Sequence, residues 1–118
     1  MIKQHVEELN SMILSGKTMD AFEKFYADNV SMKENGHPAT VGKDANRDRE
    51  IEFFGNVTEF RGAEVLSTVV DEEQGVAMCQ WNWDYTHKEW GVMKYTCVSV
   101  QKWENGQIVS EQFHYSPN

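Results

Sequence analysis

The hydrophobic period of the chain changes near Val57, and that change restricts the folds open to it. Before this point apolar residues recur at helical spacing. After it, β-rich runs alternate with turn residues. Ile2, Val6, Leu9 and Ile13 form one helical stripe, stopped at Ser15-Gly16. Thr18 can cap a second helix that lays Phe22, Phe25 and Tyr26 on one face and ends at Asn29. Val30 to Lys33 reads as a short strand, followed by the turn Glu34-Asn35-Gly36-His37-Pro38. A third helix is expected from Lys43 to Phe54, with its charged run Asn46 to Glu50 solvated and Ile51, Phe53 and Phe54 as an apolar end. Strands are expected over Ala63–Val70, Val76–His87, Val92–Trp103 and Gln107–Tyr115. Helices first and an antiparallel meander afterwards make an α+β fold, and 118 residues suit one domain spanning 1–118.

Composition narrows the function classes. A net charge of −8 with no basic stripe opposes nucleic acid and anionic lipid as partners, because affinity for both comes from Lys and Arg. No apolar run is long enough to span a bilayer, and MIKQHVEELN lacks a signal-peptide core, so the expected address is cytoplasmic. Cys79 and Cys97 have no zinc spacing, and His5, His37, His87 and His114 lie far apart. Neither a metal nor a cofactor is therefore expected. Four Trp, four Tyr and six Phe suit a lined cavity as well as a core.

Strand alternation assigns faces. A first hairpin centred near Lys88 would set Trp83 opposite Met93, Trp81 opposite Tyr95 and Cys79 opposite Cys97. For the second hairpin, a two-residue Asn105-Gly106 turn would place Ile108, Ser110, Gln112 and His114 beside the tryptophans. A three-residue loop over Glu104-Asn105-Gly106 would place Val109, Glu111, Phe113 and Tyr115 there instead. The second set is the more apolar and is chosen. The resulting inner face holds Trp81, Trp83, Tyr85, Tyr95, Cys97, Ser99, Gln101, Trp103, Val109, Glu111, Phe113 and Tyr115, with Glu111 the conspicuous polar group and Ser99 its expected cross-strand neighbour.

The segments Phe25-Tyr26-Ala27-Asp28-Asn29-Val30, Gly42-Lys43-Asp44-Ala45, Trp81 and Asn105 to Glu111 carry a resemblance over nearly the whole chain. The sequence resembles the SnoaL-like branch of the NTF2-like superfamily. That resemblance implies three helices packed in the concave face of a strongly curved, mainly antiparallel sheet, a pocket between them, and homodimers through the outer sheet face. It implies relatives that are cyclases, epoxide hydrolases, steroid isomerases and dehydratases, alongside non-catalytic binding modules. Glu34 falls near the carboxylate base of the steroid isomerases, but Ser99 would stand for their oxyanion-hole acid and an apolar residue close to Leu9 for their helix-one tyrosine, two departures that argue against a steroid isomerase. Glu111 or its neighbour is nearest to the last-strand acid/base carboxylate of the polyketide cyclases. The Arg-bridged carboxylates of the epoxide hydrolases find no counterpart, with Arg47 and Arg49 assigned to an outward helix and Arg61 to a loop.

Glu111 and Glu34 are the candidate catalytic residues, because burial in an aromatic pocket raises a carboxyl pKa toward neutrality. Tyr26, Phe54, Trp81, Trp83, Tyr95, Cys97, Ser99, Gln101, Phe113 and Tyr115 are the expected pocket lining. Three functions compete: a cofactor-independent isomerase, cyclase or hydratase-like enzyme on a small apolar carbonyl or ring compound, a non-catalytic ligand-binding or dimeric association module, and a structural subunit whose cavity is filled by Trp81, Trp83 and Trp103.

Overall fold

The structure, a computed structural model, describes residues 1–116. In chain order the elements are α1 (Ile2–Leu14), α2 (Thr18–Phe25), β1 (Tyr26–Glu34), β2 (Thr40–Val41), α3 (Lys43–Gly55), β3 (Val57–Asp71), β4 (Val76–His87), β5 (Gly91–Glu104) and β6 (Gln107–Tyr115). The strands form a six-stranded sheet in the order β2-β1-β6-β5-β4-β3. Only β1 and β6 run parallel; every other neighbouring pair is antiparallel. The three helices pack against this sheet, giving the α+β cone expected from the sequence.

The apolar stripe of α1 buries Val6 and Leu9 against Phe22, Phe25, Cys79, Trp81 and Trp103. No side chain on α1 caps its first turn. The Glu72 carboxylate in the β3–β4 turn does so from across the fold, accepting the backbone N–H of Ile2 at 2.9 Å and of Lys3 at 3.0 Å. Those bonds hold the Glu72 carboxyl below its usual pKa.

Three expectations about the elements are corrected. The second helix stops at Phe25 rather than Asn29, because Tyr26 is already extended and begins β1. The β1–β6 register then jumps between Tyr26 and Ser31, so one strand bulges over the polar Asp28-Asn29. Strand β3 begins at Val57, six residues early, and absorbs three register irregularities that break its period-two pattern. Arg61 therefore lies in a strand, donating to Asp84 and Thr86 at 2.8 Å each.

Both hairpins differ in detail from expectation. Trp83 faces Tyr95, Trp81 faces Cys97 and Cys79 faces Ser99, a register two residues away from the one expected. The turn is centred on Glu89, where the Trp90 ring stacks on His87 at 3.7 Å and Gly91 takes a positive φ. An even shift preserves the face, so the tryptophans stay inside. The second hairpin uses the rejected two-residue turn: Asn105 and Gly106 both have positive φ and Glu104 faces Gln107. A bulge at Val109 then restores the other parity. Trp103 pairs with Ile108 but Lys102 pairs with Ser110, so Glu111, Phe113 and Tyr115 turn inward as the sequence requires. Ile108, not Val109, fills the core at the turn.

Candidate functional site

Between the helices and the inner sheet face lies a cavity of about 990 Å³. Trp81 and Trp83 line it as stacked rings 5.1 Å apart, and Trp103 packs away from it against His5 and Phe25. The tryptophans therefore do not fill the space.

Glu111 is 4 % exposed and opposes Gln101, not Ser99 as expected. Gln101 Nε2 donates to Glu111 Oε2 at 2.8 Å, and the Tyr26 hydroxyl donates to Glu111 Oε1. Trp103 Nε1 donates to Gln101 Oε1 at 3.0 Å, which fixes the amide orientation. Burial drives the Glu111 carboxyl up to about 7, with the two donors partly offsetting it. The same burial, and then the Glu111 charge, push the Tyr26 hydroxyl well above its ordinary value.

A second carboxyl reaches this cavity from α3. Asn46, 1 % exposed, pins that helix by donating Nδ2 hydrogens to the carbonyls of Val30, Thr40 and Gly42 at 3.3, 2.9 and 2.8 Å. One turn further along the same stripe stands Glu50. Its carboxyl also sits near 7, raised first by desolvation and then by the charges of Glu111 and Glu34, with Arg49 opposing. Glu50 accepts no hydrogen bond from the described residues. Asn46 and Glu50 therefore turn inward, while Asp48 and Arg49 of the same run are exposed as expected. The sequence held a signal for this: a helix that turns Phe53 inward places Asn46 and Glu50 on the same face.

Glu34 closes the ring of acids at the end of β1. It accepts the Tyr115 hydroxyl at 2.7 Å and Arg49 at 3.0 Å. Asn35, at positive φ, fixes this corner by accepting the Tyr115 backbone N–H on Oδ1 at 2.9 Å. Arg49 thus lines the cavity instead of looking outward, although it bridges Glu34 to Thr40 and not two carboxylates. Glu34 is half-exposed and structurally engaged.

The remaining polar groups are mostly spoken for. The Tyr85 and Tyr95 hydroxyls bond each other at 2.8 Å, and the Tyr95 ring stacks on Tyr115 at 4.7 Å. Burial raises all three hydroxyls above their ordinary range. The Cys97 thiol is pushed up to about 12 by burial, and Cys79 is raised for the same reason. Phe113 and Phe54 line the cavity too, Phe54 at its exposed edge. His87 is buried. Its Nδ1 accepts the Glu89 backbone N–H at 3.1 Å, so in the neutral ring the proton resides on Nε2. His37 and His114 are exposed. No cluster that could hold a metal ion occurs among the described residues, and no helix among them is long and apolar enough to cross a membrane.

The description of the SnoaL-like domain matches residues 3–111. The chain belongs to the SnoaL-like family. A Mesorhizobium loti protein described as a SnoaL-like polyketide cyclase superimposes with a TM-score of 0.87 at 24 % identity, covering 98 % of this chain and 99 % of its own. Bal32a, from a soil-derived mobile gene cassette, aligns at 0.80 and 15 % identity over 96 % and 87 %. A Bacillus subtilis protein described as an isomerase aligns at 0.77 and 13 % over 96 % and 84 %. At these identities the likeness is one of fold. No curated protein shows significant sequence similarity to the chain.

Proposed function

We propose that this SnoaL-like protein is a cofactor-independent acid/base catalyst acting on a small carbonyl or ring compound held in the cavity. The observation that carries this reading is the pair Glu111 and Glu50, two carboxyls facing one aromatic cavity and both displaced to about 7. Carboxyls at their ordinary pKa are weak bases and are not acids at neutral pH; a pair near 7 supplies both forms. Glu111, which accepts hydrogens from Tyr26 and Gln101, is the better stabilised carboxylate and acts as the base. Glu50, which has no such donors and faces the Glu111 charge, acts as the acid. In an isomerisation Glu111 would take the proton from a carbon beside the carbonyl, and Glu50 would return one at a second carbon. The substrate's protons balance, and Glu111 and Glu50 return to their starting forms by exchanging protons with solvent.

The native substrate need not be known to test this. Deuterium entry at the carbons flanking the carbonyl of 2-tetralone, followed by NMR in D2O, reads the first half of the reaction. Wild-type protein should accelerate exchange, and Glu111→Gln should lose about 10²–10⁴-fold of that acceleration. Exchange by Glu111→Gln at the wild-type rate would overturn the proposal.

A second reading, an association module, draws support from Val69 and Met78. These paired residues lie on the outer sheet face and are 65 % and 44 % exposed. That role is compatible with the first and leaves the two displaced carboxyls unexplained.

A further inference from the structure

Among the described residues, one buried side-chain polar atom has no hydrogen-bond partner: Ser99 Oγ. Ser99 is 2 % exposed, lies on β5 and lines the cavity. Its cross-strand partners are Cys79 and Phe113, neither of which offers its hydroxyl a carbonyl or carboxylate side chain. Glu111 sits diagonally from it, one step along the inner face. A buried hydroxyl without a partner costs free energy, so it survives where something else in the cavity meets it. The cavity's tyrosines are already engaged. Tyr26 and Tyr115 donate to Glu111 and Glu34, and Tyr85 and Tyr95 bond each other.

We infer that Ser99 Oγ donates its hydrogen to the carbonyl oxygen of an uncharged cyclic ketone or aldehyde, and thereby sets which compounds the cavity accepts. This rests on the acid/base reading and adds to it the substrate class and the group that holds it. Glu34, Glu50 and Glu111 line the same space and Arg49 is taken up by Glu34, so this end of the cavity favours an uncharged ligand over an anionic one. Trp81 and Trp83 supply ring faces for a flat or half-flat skeleton. With the carbonyl on Ser99, the carbon beside it lies toward Glu111. When that carbon gives up its proton, negative charge moves to the oxygen, and the same hydrogen bond strengthens.

The test uses three probes on one carbon skeleton: 2-tetralone, the hydrocarbon tetralin, and tetralin-2-carboxylate. Binding to the whole chain is followed by quenching of tryptophan fluorescence. Wild type should prefer the ketone to the hydrocarbon and bind the carboxylate least. Ser99→Ala should weaken the ketone by about three- to tenfold and leave tetralin unchanged. It should melt at or above the wild-type temperature, because it removes an unpaired buried hydroxyl. A purely structural serine would instead lower the melting temperature and leave the ketone-to-hydrocarbon ratio untouched. Ser99→Cys, a poorer donor of similar shape, should fall between the two. Equal loss for ketone and hydrocarbon, or no loss for either, overturns the inference while leaving the exchange result to stand. A Ser99-dependent ketone preference without any deuterium exchange supports the inference and defeats the acid/base reading. Binding of neither probe by wild type defeats both.

Discussion

Replacing Glu111 with Gln should change how stability depends on pH, and the size of that change follows from the site. The Glu111 carboxyl sits near 7 in the fold against an ordinary 4.5, with burial as the main cause. At about 1.4 kcal/mol for each tenfold change in acid strength, this displacement corresponds to roughly 3 kcal/mol. A folded-state pKa raised above the unfolded one favours folding on the acid side. The contribution is fully present below pH 4.5, declines as pH rises through 4.5 to 7, and is gone above 7. Wild type should therefore lose up to roughly 3 kcal/mol across that window from this group alone. Glu50 contributes in the same direction, discounted for its partial exposure. A Gln amide can still accept from Gln101 and can donate to the Tyr26 oxygen, so the network survives with a pH-independent adjustment. Urea unfolding of wild type and Glu111→Gln at intervals between pH 4.5 and 8.5 measures the effect. The difference in slope, rather than the offset, is the diagnostic quantity. Parallel profiles for the two proteins would mean that the Glu111 carboxyl is not displaced by burial.

Three further outcomes are expected. Asn46→Ala removes the side chain that satisfies carbonyls of β1, β2 and the start of α3, and should cost about 2–3 kcal/mol in chemical denaturation. It should also disturb Glu50, carried one turn along, and so lower 2-tetralone exchange. Gly75→Ala should destabilise by about 1–3 kcal/mol: its φ is +69°, and an added Cβ would meet the Trp103 carbonyl oxygen at 2.9 Å. An unchanged midpoint would mean that the β3–β4 turn is free to relax. Cys79 and Cys97 face Ser99 and Trp81 rather than each other, and both thiols are buried. At pH 8 Ellman's reagent should label them only as the chain unfolds, whereas labelling at the rate of a free thiol would contradict their burial.

The architecture was legible because it rests on patterning, which survives local irregularity. The stripe Ile2, Val6, Leu9, Ile13 and the alternation of β4 to β6 each report a buried face directly, and two strands were bounded to the residue. The turns were not, since a bulge conceals itself in sequence. At the last hairpin the wrong loop and the missing Val109 bulge compensate, so Glu111 was placed on the correct face by an incorrect route. Glu50 shows a different limit. It lies in a charged run on α3, and its environment is set by where Asn46 docks the helix, a long-range contact that composition does not reveal. Ser99 was legible as a cavity residue, but its lack of a partner depends on the true register.

The proposed chemistry requires the cavity to keep two carboxyls poised near neutrality. Carbon-13 NMR of the glutamate side-chain carboxyls, titrated from pH 3 to 9 in wild type, Glu50→Gln and Glu111→Gln, tests it most directly. Two resonances with midpoints near pH 7 are expected in wild type, one vanishing in each variant, and the surviving Glu50 signal should move toward lower pH once the Glu111 charge is removed. Midpoints between 4 and 5 for every glutamate would contradict the account.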